Sequence, residues 1–188
     1  MATLNIGNVE AGATFDQPFE LLAACHERVQ RSLALLARLV AHVGVHGCDE
    51  QARGAAGDVL RYFDIAAPAH HLDEERHVFP VLERSGDPQL GAVAQRLRAD
   101  HLQITAAWAD LRAVLQQVAA SDAVVPDALP ALAQGFIDLH SEHLRLEDDC
   151  AFVQARAAVD AQTLARMGQE MAQRRGVAPT PAQRQSAD

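Results

Sequence analysis

Along most of this chain apolar residues recur in alternating steps of three and four, the spacing that keeps one face of an α-helix against a core. The first such seam is Phe19, Leu22, His26, Val29, Leu33, Leu36 and Val40, with a histidine in one core slot. Asp16 as an N-cap and Pro18 in the first turn predict where that helix starts, and Gly44 to Asp49 where it ends. A second seam, Val59, Phe63, Ala66, His70, Glu74, His77 and Val81, predicts a helix from about Glu50 to Arg84, kinked where Pro68 removes a backbone donor. Ser85 and Gly86 stop it. Asp87 and Pro88 then open a third helix, whose seam is Ala94, Leu97, His101, Ile104, Trp108, Leu111, Leu115 and Val118. After a connection over Ser121 to Pro130, the fourth is marked by Leu132, Phe136, Leu139, His143, Glu147 and Cys150. Asp160 caps a shorter fifth helix with Leu164, Met167 and Met171 on one face.

Four long amphipathic segments with short connections predict an all-α fold, an antiparallel up-and-down four-helix bundle with an extra C-terminal helix, because short loops make sequential helices neighbours. The expected organisation is a lead-in over residues 1–15, the bundle over 16–158, a C-terminal helix over 159–175 and a disordered polar tail over 176–188. The C-terminal helix is read as an appendage, either folded on the bundle or offered to a partner.

Composition narrows the partners. With 16 Lys+Arg against 25 Asp+Glu the net charge is −9, and no basic block offers the footprint that nucleic acid or an anionic membrane demands. No apolar run approaches the roughly 20 residues that span a bilayer, and the first residues lack the basic and apolar regions of an export signal. Three cysteines, Cys25, Cys48 and Cys150, suit neither a disulfide framework nor a CxxC pair, so a reducing cytoplasm is the expected setting. Nine histidines against 4% aromatics are the unusual feature.

An internal repeat organises those histidines. A shift of 75 residues lays His26 and its seam onto His101 and its seam. A shift of 73 lays Phe63, His70, Glu74, Glu75 and Phe79 onto Phe136, His143, Glu147, Asp148 and Phe152, so both helices read F-x6-H-x3-E-[ED]-x3-F. Each half therefore supplies one lone His and one His-x3-Glu, whose members share a helix face one turn apart. A lone seam histidine is usually a hydrogen-bonded core residue, and a single His-x3-Glu a solvated pair. Six such residues at duplicated positions are another matter: two seam glutamates with four histidines and no Lys or Arg beside them need a cation. Imidazole with carboxylate suits Fe, Zn or Mn, and the candidate ligands are His26, His70, Glu74, His101, His143 and Glu147. Two ions fit six ligands better than one, since the repeat gives each ion two histidines and lets both carboxylates bridge. The Glu-x-x-His spacing of ferritin-like bundles is absent, except from Glu74 to His77.

At these residues the chain resembles the hemerythrin-like, or HHE cation-binding, family. The matching pieces are ACHER around His26, HHLDEERHVFP from His70 to Pro80, ADH at His101 and HSEHLRLEDD from His140 to Asp149, within a resemblance from about Asp16 to about Arg156. In HHxxEE the ligand is assigned to His70, ten residues before Pro80 as in the family pattern, and His71 to the surface or to hydrogen-bonding a ligand. The resemblance implies two iron ions in an oxo- or hydroxo-bridged di-iron centre that meets dioxygen, peroxide or nitric oxide. Oxygen-carrying members have a second histidine one turn after that of helix three, where this chain has Thr105, and place the helix-four carboxylate five residues after its His rather than four. Both departures point away from reversible oxygen carriage.

Around the six, His77 and His140 are read either as completing a coordination sphere or as bonding a ligand. Cys150 is read as a small apolar filler rather than a redox group, and Tyr62 as packing. The leading reading is a di-iron protein that binds, senses or reacts with a small diatomic or peroxide ligand, without nucleic acid or membrane and with a homodimer left open. Its rivals are a di-iron peroxide or nitric oxide reductase, an iron storage or supply protein, an iron-sulfur cluster repair protein, and a bundle whose polar core binds nothing. Repair proteins usually carry a cysteine-containing N-terminal domain, for which fifteen leading residues are too few.

Overall fold

The computed structural model of the chain describes residues 14–120 and 125–177; the start of the predicted lead-in, residues 121–124 of the connection and nearly all of the tail lie outside the described residues. Among the described residues the backbone is helical, without a strand. The order is α1 (Pro18–His46), α2 (Glu50–His77), α3 (Phe79–Glu83), α4 (Pro88–Ala120), α5 (Leu129–Leu146), a π-helical turn (Glu147–Ala151), α6 (Phe152–Ala158) and α7 (Ala161–Arg174).

Most ends fall where the sequence puts them. Asp87 accepts from the Gln89 N–H at 2.8 Å and Asp160 from the Thr163 N–H at 2.7 Å, each satisfying a donor that a helix start leaves orphaned. At its end α1 runs through Gly44 and stops at Gly47, whose φ of +72° suits glycine.

Two interruptions differ from the expectation. The second helix is not one piece to Arg84: it stays helical through Pro68 and breaks at Val78. Pro80 has no N–H for the Arg76 carbonyl, so the α-helical ladder cannot continue there. The fourth helix is broken too, by the π turn, which fits one extra residue into the helical path. Phe79 and Phe152, equivalent in the repeat, each begin the segment after the break.

The chain falls into two compact units. The larger covers Cys25–Ala158 and is the bundle. Its helices alternate in direction: His26 of α1 lies against His70 of α2, the Asp64 carboxylate of α2 accepts from Trp108 and Arg112 of α4, and Trp108 packs on Phe136 of α5. Leu36, Val59, Leu111, Leu115 and Phe136 are fully buried in one core, each worth about 1.5–3 kcal/mol by removal from water. The other unit joins the segment up to Ala24 with that from Val159. Here Met167 and Met171 are buried, and the backbone of Phe15 crosses α7 so closely that a Cβ at Gly168 would lie 1.7 Å from the Phe15 carbonyl oxygen. No helix among the described residues is long and apolar enough to cross a membrane.

Candidate metal centre

Antiparallel packing brings the six candidate residues to one level of the bundle. His26 comes from α1, His70 and Glu74 from one face of α2, His101 from α4, His143 from α5 and Glu147 from the first position of the π turn. None is more than 3% exposed; among the described residues the other buried polar side chains are Asp73, Asp100 and His140, and the rest of the core is apolar. Their ligand atoms form two groups, each within 4.8 Å: His26, His70, Glu74 and Glu147, and His71, Glu74, His101 and His143. Glu74 belongs to both.

The distances between these groups are those of atoms that share an ion. Glu74 Oε1 lies 3.1 Å from His70 Nε2 and 3.5 Å from His26 Nε2, while its Oε2 lies 3.4 Å from His101 Nε2. Glu147 Oε2 is 3.2 Å from Nε2 of both His26 and His143. Ligands bonded to one ion at about 2.0–2.2 Å stand about 3–3.5 Å from each other. These approaches lack hydrogen-bond alignment. The Nε2 atoms of all four histidines and both oxygens of both glutamates are buried without a hydrogen-bond partner. Folded proteins leave few such atoms, because each orphaned group costs about 1–3 kcal/mol. A cation among them would satisfy the set, and imidazole with carboxylate is a donor set that fits iron, zinc or manganese.

Outside this ring, carboxylates fix two of the imidazoles. His26 donates from Nδ1 to Asp148 at 2.7 Å, and His101 donates from Nδ1 to Glu75 at 2.8 Å. With a proton held on Nδ1, the nitrogen that metal binding frees is Nε2, which faces inward, the tautomer a metal ligand requires. The arrangement is crossed: the lone His of the first half is held by the second half, and that of the second half by the first. Sequence reasoning gave Glu75 and Asp148 no role, although the [ED] position of the repeated motif carried the signal. A weaker version occurs at His143, whose Nδ1 is 3.8 Å from Asp100, itself paired with Arg96 at 2.7 Å.

His71, read as surface or as bonding a ligand, lies against one of the six. Rather than turning to the surface it stacks on His101, with ring centroids 4.0 Å apart and planes 15° apart, and joins the second group of ligand atoms. The repeat offers no hint, because its equivalent is Leu144; α4 packs on the side of α2 to which position 71 turns. His77 and His140 join neither group. His140 is buried, donates from Nδ1 to the Phe136 carbonyl at 2.9 Å and packs on the Phe136 ring. Cys150 sits half-buried in the π turn, and the Tyr62 hydroxyl donates to the Cys25 carbonyl at 3.4 Å. Thr105 spends its hydroxyl on the His101 carbonyl at 2.8 Å and faces no ligand.

Without metal the centre holds protons unevenly. Burial pushes His70 down to about 4 and His143 to about 3, keeping both neutral. Burial also opposes charge on His26, but the carboxylates of Asp148, Glu147 and Glu74 outweigh it and lift this ring to about 11. For Glu147, burial and then the charge of Glu74 raise the carboxyl to about 8. Burial acts the same way on Glu74, yet His70, His101 and His26 hold it well below the usual carboxylate range. A cation entering at neutral pH therefore displaces protons from His26 and Glu147.

Comparison with known proteins agrees with this chemistry. Residues 17–155 match the model of the hemerythrin HHE cation binding domain, a span that includes every residue of the centre. Over 165 residues the chain is 32% identical to a protein of Haemophilus influenzae described only as uncharacterized, covering 88% of this chain and 94% of that one. The match spans most of the chain and all of its buried ligand groups, and the chain belongs to the hemerythrin HHE cation-binding family of metal-binding domains.

Proposed function

We propose that the centre holds two iron ions, one at His26 and His70 and the other at His101 and His143, with Glu74 and Glu147 shared between them and His71 as an added ligand of the second. The chain then binds, senses or reacts with dioxygen, peroxide or nitric oxide. The observation that carries this reading is the set of inward-facing, unpartnered ligand atoms that divides into two groups around one carboxylate. A bound iron pair supplies open positions and electrons to such ligands. The protein's own part is to hold the imidazoles of His26 and His101 in the correct tautomer through Asp148 and Glu75, to bury the six ligands to 3% exposure or less with His71 half-buried beside them, and to store the displaceable protons on His26 and Glu147. Its three free cysteines fit a reducing cytoplasm.

Elemental analysis with an absorption spectrum tests the reading. About two irons per chain, with a near-ultraviolet band that bleaches with dithionite and returns in air, is the expected result. Zinc, a single metal or none sinks it. Turnover as a peroxide or nitric oxide reductase is distinct from the binding or sensing of one ligand. Repeated cycles with a reductant, rather than one stoichiometric spectral change, separate the two.

A further inference from the structure

Between α2 and α4 a cavity of about 370 Å³ opens beside the second group of ligand atoms. Its walls are the side chains of Phe63, Ala67, Ile104, Trp108 and Phe136. At its inner end lie the stacked rings of His71 and His101, and at its mouth the exposed Leu102 and Thr105. Glu75 is the one acidic side chain in the lining, no Lys or Arg lines it, and the Glu75 carboxylate already accepts from His101.

We propose that this chamber binds a small uncharged molecule with an apolar body, held with its inner end against the His71 and His101 rings. Three features argue for that class. The volume far exceeds what a diatomic gas fills, whereas an apolar cavity of about 150 Å³ is enough to take up benzene. The lining is aromatic and aliphatic, so it rewards an apolar body and offers no counter-charge to an ionised one. An anion would in addition face the Glu75 carboxylate, and a cation would leave its hydration shell for a wall whose only charge is engaged with His101. The pocket thus favours neutral molecules with an apolar body and holds them beside the candidate ligands His71 and His101. The proposal rests on the di-iron reading only for what the molecule meets at that inner end.

Fluorine NMR titration of the full-length protein, metal-free and iron-loaded, with fluorobenzene and with 4-fluorobenzoate tests this. Trp108, the sole tryptophan, gives a second readout through its fluorescence. Saturable binding of fluorobenzene is expected in both forms, and in the metal-free form it should be at least about tenfold tighter than that of the benzoate. Thr105→Phe, at an exposed position, and Ala67→Phe, deeper in the chamber, should each abolish saturation, the former with helical content and iron content unchanged. Equal binding of the benzoate to the metal-free form, saturation that survives both substitutions, or no saturation up to the solubility of fluorobenzene would overturn the proposal. A chain that takes no iron yet binds fluorobenzene would sink the di-iron reading and leave the chamber standing; a chain that loads iron and ignores fluorobenzene does the reverse.

Discussion

Replacing Glu147 by methionine should stabilise the metal-free protein and weaken the metal-loaded one. Both oxygens of Glu147 are buried without a hydrogen-bond partner, and its carboxyl, raised to about 8, is mostly protonated at pH 7. Removing a protonated group strands no charge, because His26 keeps Asp148 and Glu74 as partners. Methionine supplies a flexible unbranched side chain of similar length with no strong polar atom to bury. Relief of the orphaned carboxyl is worth about 1–3 kcal/mol. For a chain of this size that is a rise in Tm of about 2–12 °C. The metal-loaded protein responds in the opposite sense, since a shared carboxylate is lost and the rise in Tm on adding ferrous iron shrinks. Paired thermal melts by circular dichroism, chelator-treated and reconstituted without oxygen, give both signs in one experiment. A metal-free Glu147→Met chain that melts more than about 2 °C below the unsubstituted one would refute the reasoning, because the carboxylate would then be satisfied within the protein.

Three further outcomes are expected. Glu75→Gln and Asp148→Asn should each weaken iron binding about 10–100-fold in a chelator competition, and by similar factors because the two residues occupy equivalent places in the repeat; unchanged affinity would remove their role. Iron affinity should climb with pH, by at least about a hundredfold per unit below pH 8 while protons leave His26 and Glu147, and less steeply above pH 8. His101 makes a further contribution, because burial opposes charge on its ring but the Glu74 and Glu75 carboxylates raise it. Competition at pH 6, 7 and 8 checks the slope, and a flat profile contradicts the proton inventory. Gly168→Ala, which in an open helix gains about 1 kcal/mol, should instead destabilise the unit around α7, because the new Cβ would lie 1.7 Å from the Phe15 carbonyl oxygen. Faster proteolysis near residue 15 reports the loss, and a protease-resistant variant speaks against the close crossing.

The helices were legible because a single rule, the three-four alternation, fixes both their length and the face they bury. The same rule exposed His26, His70, His101 and His143 as polar residues in apolar slots. Two features escaped it. The break at Val78 comes from Pro80, whereas α2 accommodates Pro68 without ending. The π turn leaves no mark on apolar spacing, because it changes the path by one residue just where the seam already carries Glu147. The stacking of His71 on His101 was not legible, since the angle of position 71 about its own helix axis does not say which neighbour lies there. Glu75 and Asp148 were visible in the repeat, but their meaning depends on which helices face each other across the bundle. Nothing local to Asp148 says that its partner is 122 positions away.

The crossed hydrogen bonds have a consequence for how such a centre is assembled. Each half of the chain carries three of the six candidate ligands, and each lacks the carboxylate that sets the tautomer of its own lone histidine. Cut at the Ser85–Gly86 turn, the protein would yield two helical hairpins that need each other to take up metal, and uptake would then depend on fragment concentration. This is the logic of an isologous interface, in which the same patch on two copies completes two equivalent sites. Read that way, the single chain is a tethered dimer of hairpins, and its centre is the contact surface between them.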